Sequence, residues 1–101
     1  MALSMLAKNP LDLAVGRKLT REELAQALRL AIMAELDAVN LYLQIASSCE
    51  DEGVRKLFQD VAKEEKAHIG EFLEALLRLD PEQVRELEKG REEVREIMGG
   101  E

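Results

Sequence analysis

Three side chains in this 101-residue chain are of the types that hold metal ions. Glu65 and His68 form an E-x-x-H step over Glu65-Lys66-Ala67-His68, and Glu35 stands thirty residues before Glu65. On a helix, side chains three apart share a face, so a carboxylate and an imidazole at this spacing converge on one point. Oxygen donors with one nitrogen and no thiolate suit iron or manganese better than a structural zinc site. Taken singly, each residue has a plainer role: a Glu in a helix seam fixes register, and a His on an apolar face is ordinarily just hydrogen-bonded. The four-residue step alone arises by chance in many helices, so the elements that carry it decide its meaning.

Thr20 followed by Glu23 is a capping box, and the apolar period begins at Leu24, which predicts a helix to about Ser48. At about 100° per residue, Leu24, Leu28, Ala31, Ile32, Ala38, Val39, Tyr42 and Ala46 fall within about 60° of Glu35, which therefore lies inside the apolar stripe. A second apolar sector of Leu30, Met33, Ala34 and Leu41 leaves only a strip around Gln26, Arg29, Asp37, Asn40 and Gln44 polar. So broad an apolar surface predicts more than one neighbour.

Asp51 can cap a second helix running to about Leu79, with Val54, Phe58, Val61, Ala62, Ile69, Phe72, Leu76 and Leu79 as its inner stripe. Glu65 and His68 lie in the midst of that stripe. Two matched helices joined by a short turn predict an antiparallel hairpin. Asp80, Pro81 and Gln83 then supply a cap, a proline at the first helical position and a capping glutamine for a third helix to about Met98. Residues 1–18 show no helical period and read as an extended N-terminal arm, residues 19–98 as the helical unit, and 99–101 as a tail or the start of a linker.

With the turn near Glu50, Glu35 lies fifteen residues before it and Glu65 fifteen after, so the hairpin brings all three candidates to one level. No Lys or Arg occupies the central inner positions to neutralise them. An unpaired buried carboxylate must be protonated, paired or bound to a cation, and a metal is the simplest compensation. Carboxylate di-iron and di-manganese bundles take one Glu from each of two helices and a Glu-x-x-His from each of the other two. One copy of this hairpin supplies one of each, and two copies complete the set. Tyr42, two turns from Glu35 on the same face, is placed either to hydrogen-bond toward a ligand or to serve as an ordinary core tyrosine.

Composition agrees with an all-α oligomer. The chain is 47% apolar with 3% aromatic residues, rich in Ala, Leu, Glu, Arg and Lys. At this length a self-sufficient core is hard to build, which predicts assembly. A net charge of -7 disfavours nucleic acid and anionic membranes as partners and favours cations. No apolar run approaches the roughly 18 residues of a membrane span, and Lys8, Pro10 and Asp12 break the first stretch, so the sequence reads as cytoplasmic, without a signal peptide. The lone Cys49 forms no intramolecular disulfide and reads as a small hydrophobe at a helix end.

The run from Ala34 through Glu35, Asp37 and Asn40 to Tyr42, followed by Glu64-Glu65-Lys66-Ala67-His68 and Leu79-Asp80-Pro81, resembles the encapsulated ferritin family, iron oxidases packaged inside encapsulin nanocompartments. The resemblance covers about Leu19 to Val94. It implies a ferritin-like half-bundle completed by dimerisation, in which Glu35, Glu65 and His68 are ferroxidase ligands to a di-iron centre shared between two subunits. It also implies a ring-like homo-oligomer, commonly a decamer, with Tyr42 near the site. Asp37 matches one acidic position of the family's metal access path, while Ala34 stands where some members carry a second Glu. Free-standing members end in a shell-docking peptide, of which Gly90 to Glu101 shows no recognisable copy; in other members the domain is fused to the shell protein.

The expected activity is thus oxidation of Fe(II) to Fe(III) by dioxygen or peroxide, with the iron passed to mineral storage inside an encapsulin shell. Two other readings stay open: a rubrerythrin-like di-iron peroxidase, and a metal-free helical oligomerisation module in which Glu35 and His68 only set register.

Overall fold

The computed structural model of the chain describes Asn9, Asp12 and residues 16–100; most of the arm read over residues 1–18 lies outside the described residues. Three long helices follow in order: α1 over Arg21–Ser48, α2 over Glu52–Leu79 and α3 over Pro81–Met98. Each begins where the sequence supplies an oxygen for the orphan amides of a first turn. The Thr20 hydroxyl accepts from the Glu23 amide at 3.1 Å, and the Glu23 carboxylate accepts from the Thr20 amide at 2.9 Å. Arg17 closes a fork on the same carboxylate at 2.7 and 2.6 Å. That guanidinium, with the Thr20 amide next in weight, holds the Glu23 carboxyl down to about 2. Asp51 caps α2 by accepting from the Val54 amide at 3.0 Å.

Only Cys49, Glu50 and Asp51 separate α1 from α2, so the helices must run back along one another. The Cys49 carbonyl accepts two bonds from Arg55, which ties the end of α1 to the first turns of α2. Residues equidistant from Glu50 face each other: the rings of Tyr42 and Phe58, each eight residues from it, have centroids 5.8 Å apart. At the open end Arg21 and Leu79 line one hollow.

The hairpin's own core is thin. Ala25, Val39 and Ala46 of α1 and Ala62 and Leu76 of α2 are its buried apolar residues. Alanines allow a close helix approach but contribute little buried area. Leu24, Ile45, Val54 and Leu57 remain 37–59% exposed, with Leu57 the most open. The architecture is one layer of two helices, half of a four-helix bundle.

α3 leaves this layer. Asp80 closes α2 by donating its amide to the Leu76 carbonyl at 2.9 Å and caps α3 by accepting from the Gln83 amide at 3.2 Å. Pro81 at the first helical position forces Asp80 out of helical geometry, with φ -130° and ψ 88°. Gln83 does not act as the expected capping glutamine, because the Asp80 amide it would bind is already given to Leu76; only its own backbone amide takes part. α3 buries no residue, and none of its Cα atoms comes within 8 Å of α1. The projection raises the radius of gyration to 17.0 Å, against about 13 Å for a compact domain of this length.

Candidate metal centre

Glu35 sits midway along α1, and Glu65 and His68 midway along α2. One donor atom from each lies within 4.8 Å of the other two, close enough for a single cation to stand among them. His68 Nδ1 is 3.3 Å from Glu65 Oε2 and 3.7 Å from Glu35 Oε2. The carboxylates are shielded, with side chains 21% and 18% exposed for Glu35 and Glu65, whereas His68 is 44% exposed. The cluster therefore opens through the imidazole side onto the hairpin's uncovered face.

Electrostatics make the cluster cation-seeking. Among the described residues neither carboxylate has a Lys or Arg within 4 Å, and Glu35 Oε2 is buried without any hydrogen-bond partner. A shielded carboxylate oxygen with nothing to accept from is expensive, and a bound cation relieves it. Two oxygens and one nitrogen fit iron or manganese. Three donors leave coordination positions free on the exposed side.

Tyr42 and Asp37 fall outside this cluster. The Tyr42 ring packs toward Phe58, seven residues and about 10 Å along the axis from Glu35. Its hydroxyl makes no hydrogen bond among the described residues. Asp37 carries a second buried oxygen without a partner, Oδ2, although its place on the helix wheel assigned it to a polar strip. Sequence reasoning missed the long-range ion pair of Arg29 Nη2 with Asp80 Oδ2 at 2.7 Å, since nothing local marks two residues so far apart as partners.

A mid-helix Glu opposite a Glu-x-x-His step, on a hairpin that forms half of a four-helix bundle, defines the ferritin-like class. The chain superposes on a crystal structure of the encapsulated ferritin domain from Pyrococcus furiosus with a TM-score of 0.85 and 58% identity, covering 95% of this chain and 98% of that one. A family model described as Rubrerythrin matches residues 26–97, and the chain belongs to that family, on its encapsulated-ferritin side. It is 59% identical over 95 residues to a ferritin-like-encapsulin shell fusion protein of the same organism, spanning 94% of this chain but only 28% of that relative. It is also 41% identical over 92 residues to the encapsulin nanocompartment cargo protein EncC of Myxococcus xanthus, covering 91% of this chain and 71% of EncC. No helix among the described residues is long and apolar enough to cross a membrane.

Proposed function

We propose that the chain is a ferroxidase subunit that contributes half of a di-iron site. The observation that carries this reading is the meeting of Glu35, Glu65 and His68 within 4.8 Å around a buried carboxylate oxygen that has no partner. Two copies meeting on the open face would place four carboxylates and two imidazoles around two metal positions, a formal charge of about -4 that matches two divalent ions. Fe(II) is the substrate: each ion gives one electron to dioxygen or peroxide and leaves as Fe(III). The carboxylates hold the ions and favour the higher charge, while His68 on the exposed side completes each coordination set. The role of Tyr42 is to lie near the site, and that of Asp37 to receive metal on its way in.

The thin core and the exposed Leu24, Val54 and Leu57 support pairing through this face, and ring-like assembly of the dimers follows the same economy. Relatives named for an encapsulin shell and for its cargo support a place inside such a nanocompartment, in the cytoplasm, where the shell stores the mineral. The rubrerythrin family match favours a second reading, a di-iron peroxidase whose irons give two electrons to peroxide and are returned to Fe(II) by an external electron-donor protein. Anaerobic Fe(II) titration, read by ultraviolet absorbance and native mass, should saturate near one iron per chain. Absence of uptake ends both readings and leaves a metal-free oligomerisation module. Sustained peroxide consumption in the presence of an added reductant, without net Fe(III) release, selects the peroxidase.

A further inference from the structure

Asp80 is used three times. Its amide ends α2 on the Leu76 carbonyl, Oδ1 accepts from the Gln83 amide to start α3, and Oδ2 takes the Arg29 guanidinium of α1 at 2.7 Å. The first two bonds fix where the helices stop and start but leave their mutual angle free. The third ties the corner to the other helix of the hairpin. Within the chain α3 buries no side chain, stays more than 8 Å from α1 by Cα distance and otherwise meets only α2, from which it departs at this corner.

We infer that the Arg29–Asp80 pair is a joint that sets the bearing of α3 relative to the hairpin. An exposed ion pair ordinarily contributes little to stability, because long side chains lose entropy to form it and salt screens it. Stability is not what this pair supplies. A helix of 18 residues that buries no side chain and meets only α2 within the chain has little packing of its own to choose its direction, so a well-placed contact at the pivot sets it. The lever is long: α3 extends about 27 Å from the corner. A small rotation at Asp80 therefore moves the exposed Ile97 and Met98 at the far end through many ångströms. Arg29 and Asp80 are positioning residues; neither belongs to the metal cluster.

Spin labels at Gln44→Cys and Glu96→Cys in a Cys49→Ser full-length chain, diluted into excess unlabelled chain, test this by pulsed dipolar distance measurement. The native pair should give one narrow distance. Arg29→Ala should replace it by a broad distribution, Arg29→Lys should recover most of the narrow component, and high salt should broaden the native chain alone. Arg29→Ala leaves the caps on Asp80 intact, so helix content by circular dichroism should not change. A narrow distance that survives Arg29→Ala overturns the joint. So does a loss of helicity in step with the broadening, because α3 would then have unwound rather than swung.

Discussion

His68 Nδ1 stands 3.3 Å from Glu65 Oε2, one turn back along the same helix, so the two donors already converge on one side of α2. His68→Ala should reduce Fe(II) affinity by at least about 100-fold, the upper range seen even for groups that merely support a ligand. Because His68 is 44% exposed, the fold should tolerate the change, with thermal unfolding nearly unaltered. Isothermal titration with Fe(II) under anaerobic conditions reads the affinity.

Glu35 should behave in the opposite way on stability. Its Oε2 is shielded and has no hydrogen-bond partner, with His68 Nδ1 no nearer than 3.7 Å, a cost that a bound cation removes. Glu35→Leu should stabilise the metal-free protein by about 1 kcal/mol in chemical denaturation while abolishing iron oxidation. A less stable Glu35→Leu protein would mean that the carboxylate is satisfied in solution.

Acid should weaken the start of α1 in a defined window. Glu23 has its carboxyl lowered from an ordinary 4.5 to about 2 by Arg17 and the Thr20 amide. A folded value below the unfolded one gives stability that is complete above about 4.5 and is lost as pH falls through about 2. Glu23→Gln should therefore lie below the native chain in stability near neutrality, with the gap closing toward pH 2. Urea titrations at stepped pH measure the gap, and the NMR titration of the Glu23 side chain measures its cause.

Tyr42 separates packing from chemistry. The ring contact with Phe58 survives in Tyr42→Phe, which should change stability by less than about 0.5 kcal/mol. Tyr42→Ala should cost about 2 kcal/mol, less than a fully buried aromatic, because the ring is only half-buried. If the hydroxyl acts on the metal site, stopped-flow oxidation slows in Tyr42→Phe while iron uptake stays constant.

Most of this molecule is legible in its sequence because each helix announces itself. Thr20 with Glu23, Asp51, and Asp80 with Pro81 are local signals, and all three mark true helix starts. The level meeting of Glu35 with Glu65 and His68 follows from a turn of three residues, which leaves the two helices no freedom to slide. What resists reading is set by distance or by shielding. The direction of α3 depends on Arg29 and Asp80, far apart along the chain. The buried oxygen of Asp37 depends on how neighbouring side chains lie over it, which a helix wheel does not represent. The apolar stripes are equally visible, yet only five of the described residues are buried in the single chain, because periodicity shows which face seeks cover and not how much cover one copy provides.

The mirror-matched hairpin about Glu50 also limits how such a gene can drift. One codon gained between Glu35 and Glu65 within either helix would turn a ligand by about 100° and shift it by about 1.5 Å relative to its mates. Insertions and deletions in a lineage of these chains are thus confined to the three-residue turn, to the stretches outside Arg21 and Leu79, or to paired whole-turn changes on both strands of the hairpin. Length variation among descendants should consequently collect in the arm, in the turn and in α3, while the helical segments on either side of the turn, 35–48 and 52–65, change only together.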